Sequence, residues 1–211
     1  MKITQRHGKP AFTLIELMAV ITIIVILAGL VVGGLGFVTE RQAKEKARVQ
    51  MALLTKALEE YKLDNGAYPP MANSTDGLGT SDDLYVALFY EGYDFNKQAE
   101  GGSPPATWTK TLGGVTVPKA TRIYLPDLDP TTSKQGWVDP VTATNATPPA
   151  STEIKDPWGN PFRYRSGKSP SGTANPSAIN PDFDLWSMGK DAATHASDVK
   201  NKNAKDDIRN F

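Results

Sequence analysis

Two places in this chain put carboxylates where they have chemistry to do. Glu16 heads a run with no other charge until Glu40, and Leu17 to Val38 alone is 22 uncharged residues rich in Ile, Val and Leu. A carboxylate at that depth in hydrocarbon is costly unless paired, so one retained there points to a function and to a cationic partner. At the other end, Asp191 and the adjacent Asp206 and Asp207 are hard oxygen donors of the kind calcium takes. A loop returning after about fifteen residues brings such carboxylates within reach of one another. Lys200, Lys202 and Lys205 share that stretch, and a solvated tail of mixed charge is the competing reading. An enzyme is not expected. The two histidines, His7 and His195, exclude a His-based metal cluster and leave a Ser-His-Asp arrangement dependent on one Lys-rich segment. No phosphate-binding loop or dinucleotide fingerprint appears.

The elements that position these groups start with the apolar run. At the helical rise of about 1.5 Å per residue it covers a bilayer core of roughly 30 Å. Lys2, Arg6 and Lys9 precede it without an acid, so the positive-inside bias keeps the N-terminus cytoplasmic and sends the rest across the membrane. A cleaved secretory signal is the alternative, with Gly33-Gly34-Leu35-Gly36 as a weak imitation of its site, but that reading leaves Glu16 unexplained. Gly29, Gly33, Gly34 and Gly36 weaken the helix by about 1 kcal/mol each relative to Ala, and Gly29 to Gly33 is also a small-xxx-small packing spacing. The expected organisation is a leader at 1–11, a transmembrane and assembly helix at 12–39, an amphipathic continuation with its stop at 40–70, and a head at 71–211 with an insertion at about 89–155.

Ala43, Ala47, Met51, Leu54, Leu58 and Tyr61 recur at helical spacing, which predicts one helix through Leu63 with an apolar stripe for the head. From Phe12 to Leu63 such a helix would be roughly 78 Å long. Asp64-Asn65-Gly66 and Tyr68-Pro69-Pro70 end it. Asp156-Pro157-Trp158-Gly159-Asn160-Pro161 is a turn that delivers the chain into a strand at Phe162 to Arg165. Phe183 to Met188 alternates as a second strand, with Phe183, Leu185 and Ser187 on one face, and Thr121 to Leu125 is the candidate third. A small antiparallel sheet would then cover the helix stripe. Trp158 and Trp186 are expected to supply core area rather than ligand stacking. Residues 89–155, rich in Pro, Thr, Gly and Ala from Asp127 to Thr152, are expected as a surface loop, ordered or partly disordered. Asn145-Ala146-Thr147 fits a glycosylation acceptor pattern that short chance matches also produce.

Lys9-Pro10-Ala11 followed by Phe12-Thr13-Leu14-Ile15-Glu16 resembles the class III signal of type IV pilin-like proteins. That resemblance implies an α+β type IV pilin-like fold: a long N-terminal transmembrane and amphipathic helix packed on a small antiparallel sheet, with a C-terminal loop. It implies cleavage between Ala11 and Phe12 by a membrane prepilin peptidase, N-methylation of Phe12, and pairing of Glu16 with the terminal amine of a neighbouring subunit. The family usually has Gly where this chain has Ala11. Methylation leaves the amine charged, so the pairing survives it.

Four ordered blocks narrow the resemblance to the major pseudopilin of type II secretion systems: Ala57 to Pro69 around Tyr61-Lys62-Leu63-Asp64-Asn65-Gly66, Thr75-Asp76-Gly77-Leu78 with Leu84 to Leu88, Asp156 to Arg165, and Phe183 to Asp191. The family's C-terminal loop binds calcium through aspartates and backbone carbonyls, which here implies Asp191 and Asp207, with Asp206 as an additional ligand and the Leu185 and Met188 carbonyls as candidates. Lys190 and Ala192 depart from that pattern.

Removing the leader deletes three bases and no acid, leaving 20 bases against 23 acids. The balance gives no reason to expect a nucleic-acid partner. There is no cysteine in a head expected to face an oxidising compartment, where small exported domains commonly rely on disulfides. The resemblance implies a subunit of a homo-oligomeric helical filament, anchored in lipid at the bacterial inner membrane and later periplasmic. Its implied partners are other pseudopilins and an inner-membrane assembly platform. The alternatives are a type IV pilin or minor tip subunit and, from another class, a membrane-tethered binding domain that never polymerises.

Overall fold

The computed structural model describes residues 12–70, 79–89, 109–112, 115–118, 122–132, 136–140, 152–168, 172–195, 198 and 200–211. Helix α1 runs Leu14–Asn65, 52 residues. The chain divides into two compact units, the first ending at Gln42 and the second comprising Ala43–Phe211.

In the first unit the helix is apolar on every side. Val20, Ile21 and Ile26, spread around its circumference, are all more than half exposed. By length and composition it is able to cross a membrane, and a helix without a polar face suits lipid as its solvent. The glycines between Gly29 and Gly36 remain helical.

In the second unit the same helix turns amphipathic. Ala47, Met51, Leu54, Leu58 and Tyr61 are buried at the predicted spacing. The helix ends two residues beyond Leu63. There Asn65 Nδ2 donates to the Tyr61 carbonyl at 2.9 Å and the Gly66 N–H donates to the Lys62 carbonyl at 2.7 Å. Gly66 has φ +77°, the left-handed conformation that closes helices at low cost in glycine.

Helix α2, Asp82–Leu88, buries Leu84, Tyr85 and Leu88 against this stripe in one core. Ser81 Oγ accepts the Ile154 N–H at 2.9 Å, which ties the start of α2 to the segment leading into the sheet. That sheet is α+β in its relation to the helices and has three strands. Strand β3 is Arg163–Ser166, β4 Phe183–Ser187 and β5 Ile208–Arg209, in the order β3-β4-β5 with antiparallel pairing throughout. A separate antiparallel hairpin pairs β1, Thr109–Leu112, with β2, Val115–Pro118.

The structure corrects the expectations for the third strand and for the insertion, and shows strand β4 buried on both faces. The third strand comes from the C-terminus, not from Thr121 to Leu125. Arg122 to Leu125 is irregular, and the N–H groups of Tyr124 and Leu125 both donate to the carbonyl of Leu88, so its backbone bonds run to the end of α2 and not to a neighbouring strand. Strand β4 lacks a solvent face: all five of its residues are buried, because Phe211 packs edge-on against Trp186 with ring centroids 5.9 Å apart and Arg165 lies over that indole at 4.9 Å. Finally, the insertion contributes to the core, since Leu128, Trp137 and Val138 are buried within it. Trp186 is in the core as expected, whereas Trp158 is only partly buried. Thr121 and the Asn145-Ala146-Thr147 pattern lie outside the described residues.

Candidate functional site

At the head of α1, Thr13 and Glu16 satisfy one another. The Thr13 N–H and Oγ1 donate to Glu16 Oε2 at 3.1 and 3.0 Å, and the Glu16 N–H donates back to Thr13 Oγ1 at 3.4 Å. This is a reciprocal capping box, in which side chains occupy N–H groups that the first helical turn leaves without intrahelical acceptors. The Thr-x-x-Glu spacing was readable in the sequence, yet the depth of Glu16 in the apolar run drew attention only to its charge. Among the described residues no cation pairs with Glu16. Phe12 is 81% exposed, and Ala11 lies outside the described residues.

The second candidate site joins the Asp156 turn to the loop between β4 and β5. Asp156 is buried. Its Oδ1 accepts the N–H groups of Trp158 and Asn160 at 3.0 and 2.9 Å, and its Oδ2 accepts the Ser187 hydroxyl at 2.6 Å. Burial pushes the Asp156 carboxyl above the usual carboxylate range, while the Ser187, Asn160, Trp158 and Gly159 hydrogen bonds oppose that shift. Ser187 Oγ accepts the Gly189 N–H at 3.1 Å and Asn160 Nδ2 donates to the Gly189 carbonyl at 2.7 Å. The turn therefore holds both polar backbone groups of Gly189. With φ +67°, and with Asp206 Oδ2 at 2.5 Å from where a Cβ would stand, this position is suited to glycine.

The three aspartates chosen from sequence fall around this loop and divide their work. Asp206 Oδ2 accepts the N–H groups of Lys190 and Asp191 at 2.8 and 3.2 Å. Asp191 Oδ1 turns back to accept the Ala193 N–H at 2.8 Å. Asp207 Oδ2 accepts the Thr194 hydroxyl at 2.6 Å and is paired with the Arg209 guanidinium. Burial raises the Asp207 carboxyl above its ordinary range against the opposing effects of Thr194 and Arg209. Arg209 was not among the residues singled out from sequence, because β5 was not foreseen.

Two carboxylate oxygens, Asp206 Oδ1 and Asp207 Oδ1, are buried without a hydrogen-bond partner. They are the donors a calcium ion would use, but the set around them fits such an ion poorly. Among the described residues no three acidic or histidine side chains converge. One of the two carboxylates is also already neutralised by a guanidinium.

A deeper ion pair completes the sheet. Arg165 Nη2 and Asp184 Oδ2 are 2.8 Å apart with side chains 2% and 0% exposed. Asp184 also accepts the N–H groups of Ile179 and Asn180, each at 2.8 Å. These extra donors supply part of what a buried carboxylate loses in water.

Comparison with known proteins finds two family matches in the N-terminal half of the chain. Residues 6–32 match the prokaryotic N-terminal methylation motif, and residues 37–100 match the type II secretion system protein G family. The type II secretion system core protein G of Pseudomonas aeruginosa is 27% identical over 194 residues, 92% of each chain. The proteins of the same name from Aeromonas hydrophila and Escherichia coli are 42% and 45% identical over 74 and 67 residues. Those alignments cover 35% and 32% of this chain and 52% and 46% of theirs. The chain thus spans about half the length of these two relatives and nearly all of the first. No solved structure matches it. The methylation motif and the protein G match follow one another along the chain, the first on a helix able to cross a membrane, and together they make the chain similar to the type II secretion system protein G family.

Proposed function

We propose that this protein is a structural subunit of a type II secretion pseudopilus. It enters the inner membrane through residues 12–39 with its leader in the cytoplasm and its head in the periplasm. Prepilin peptidase cuts between Ala11 and Phe12 and methylates the new amine. Subunits then polymerise into a helical filament with other pseudopilins on an inner-membrane platform, in support of the export of folded proteins through the outer membrane. Work as a filament component needs no catalytic centre.

The observation that carries this reading is the succession on one helix of an N-terminal methylation motif at 6–32 and a protein G match at 37–100. The Glu16 geometry supports an assembly role. Among the described residues its carboxylate is held by Thr13 alone and meets no cation, so a neighbour's Phe12 amine would supply the counter-charge in a medium of low dielectric.

Expression with a prepilin peptidase and the assembly platform tests the whole. The expected result is a shortened, methylated chain beginning at Phe12 and filaments visible by electron microscopy. A chain that is processed but never polymerises would support a tethered binding domain instead.

A further inference from the structure

The loop between β4 and β5 is tied down by a set of side-chain hydrogen bonds and one ion pair. The Asp207 side chain is fully buried and that of Arg209 is 7% exposed. Besides its bonds to Asp207 Oδ2, Arg209 donates from Nη2 to the His195 carbonyl at 3.0 Å, so one guanidinium fastens β5 to the middle of the loop. Thr194 extends the connection: its Oγ1 receives the Trp186 indole N–H at 3.0 Å and donates to Asp207 at 2.6 Å. On the near side, Asp206 Oδ2 gathers the N–H groups of Lys190 and Asp191, and the Asp191 carboxylate is turned toward Ala193. Of the buried side-chain oxygens here, Asp206 Oδ1 and Asp207 Oδ1 are left without a hydrogen-bond partner, well short of the roughly six to eight oxygens that calcium takes. A divalent ion seated on them would share Asp207 with a fixed guanidinium and meet its repulsion in a site shielded from water.

We propose that Arg209 stands in for a divalent cation in this chain: its guanidinium neutralises Asp207, closes the C-terminal loop, and makes the folded head indifferent to calcium. The fork geometry matters as well as the charge. Nε and Nη2 both reach one carboxylate oxygen while Nη2 also reaches a backbone carbonyl, an arrangement that a lysine ammonium on a single stem reproduces poorly.

The test is thermal unfolding of the full-length protein in detergent micelles, followed by tryptophan fluorescence, in EGTA and in millimolar calcium. The wild-type midpoint is expected to be the same in both. Arg209→Gln, which leaves Asp207 buried and unpaired, should unfold about 10 °C lower in EGTA and regain part of that loss in calcium, because the released carboxylate then becomes available to the metal. Arg209→Lys should fall between the two and stay indifferent to calcium.

A wild-type midpoint that drops in EGTA and recovers in calcium would overturn the proposal. So would an Arg209→Gln protein that is weakened yet unresponsive to calcium, since Arg209 would then be an ordinary packing residue. Should Arg209→Gln fail to fold, isothermal titration of the wild type with calcium decides the question: no binding supports the guanidinium closure, and stoichiometric binding lost in Asp206→Asn refutes it.

Discussion

Glu16 and Asp207 are both carboxylates withdrawn from the ordinary protein surface, and the chain treats them in opposite ways. Asp207 is buried beside Arg209, with Thr194 as a further donor; Asp184 in the same head has Arg165 and two backbone N–H groups. Glu16 lies within an apolar helix and receives hydrogen bonds from Thr13 only, with no cation among the described residues. The head thus settles its charges internally, as a domain must if it is to be stable before it meets a partner. The membrane segment leaves one charge open. Asp156 in the head is likewise held by neutral donors, but those donors come from its own fold on both oxygens, whereas on the proposed reading Glu16 meets the cation of another molecule.

That contrast is broken most severely inside the sheet. Replacing Arg165 by Ala strands Asp184 in the core, and the full-length protein in detergent should lose about 3–5 kcal/mol of stability, readable as a much lower chemical-denaturation midpoint. A loss below about 1 kcal/mol would mean that the pair is not what holds β3 to β4. Next in size is Gly189→Ala. Its left-handed φ and the nearby Asp206 carboxylate should cost about 1–3 kcal/mol, again read by denaturation, and the loop should become sensitive to limited proteolysis.

At the membrane end, Thr13→Ala should cost the helix about 1 kcal/mol through the lost cap while leaving the head's unfolding unchanged. Hydrogen exchange at residues 13–17 against residues 43–65 separates the two regions.

The smallest effect concerns pH. Asp156 has its folded carboxyl raised by burial, so its stabilising contribution is fully present below about pH 3.9, the unfolded value, and is lost as pH rises through the folded one. Wild type should therefore gain stability relative to Asp156→Asn as pH falls from neutral toward about 3.9, the unfolded value, measured as the difference in their melting midpoints. A constant difference would show that the Ser187 and backbone hydrogen bonds cancel the effect of burial.

The membrane helix and its stop were legible because they rest on local rules: an uncharged run, a 3.6-residue stripe, and an Asp64-Asn65-Gly66 terminus. The Asp156 turn was equally readable, with its prolines and glycine at fixed positions. The third strand was not. Ile208–Arg209 is two residues long and exists only because β4 offers its edge, so no periodicity announces it, whereas Thr121 to Leu125 looked like a strand and its described end, Tyr124 and Leu125, is tied to the Leu88 carbonyl. The pairing of Asp207 with Arg209 was hidden for the same reason. Two acids before an isoleucine suggest a metal, and the guanidinium two residues later acquires meaning only once β5 is placed. Burial of Leu128, Trp137 and Val138 was masked by the Pro- and Thr-rich composition around them.

The account depends most on Glu16 being the charge left for a neighbour. The direct measurement is the yield of filaments from Glu16→Gln in cells expressing the prepilin peptidase and assembly platform, scored by electron microscopy alongside mass spectrometry of the N-terminus. The account predicts a chain cleaved and methylated at Phe12, a head whose melting is unchanged, and filament yield reduced about tenfold or more, as loss of about 1.4 kcal/mol per contact requires. Filaments of normal length and number from the processed Glu16→Gln protein would contradict it.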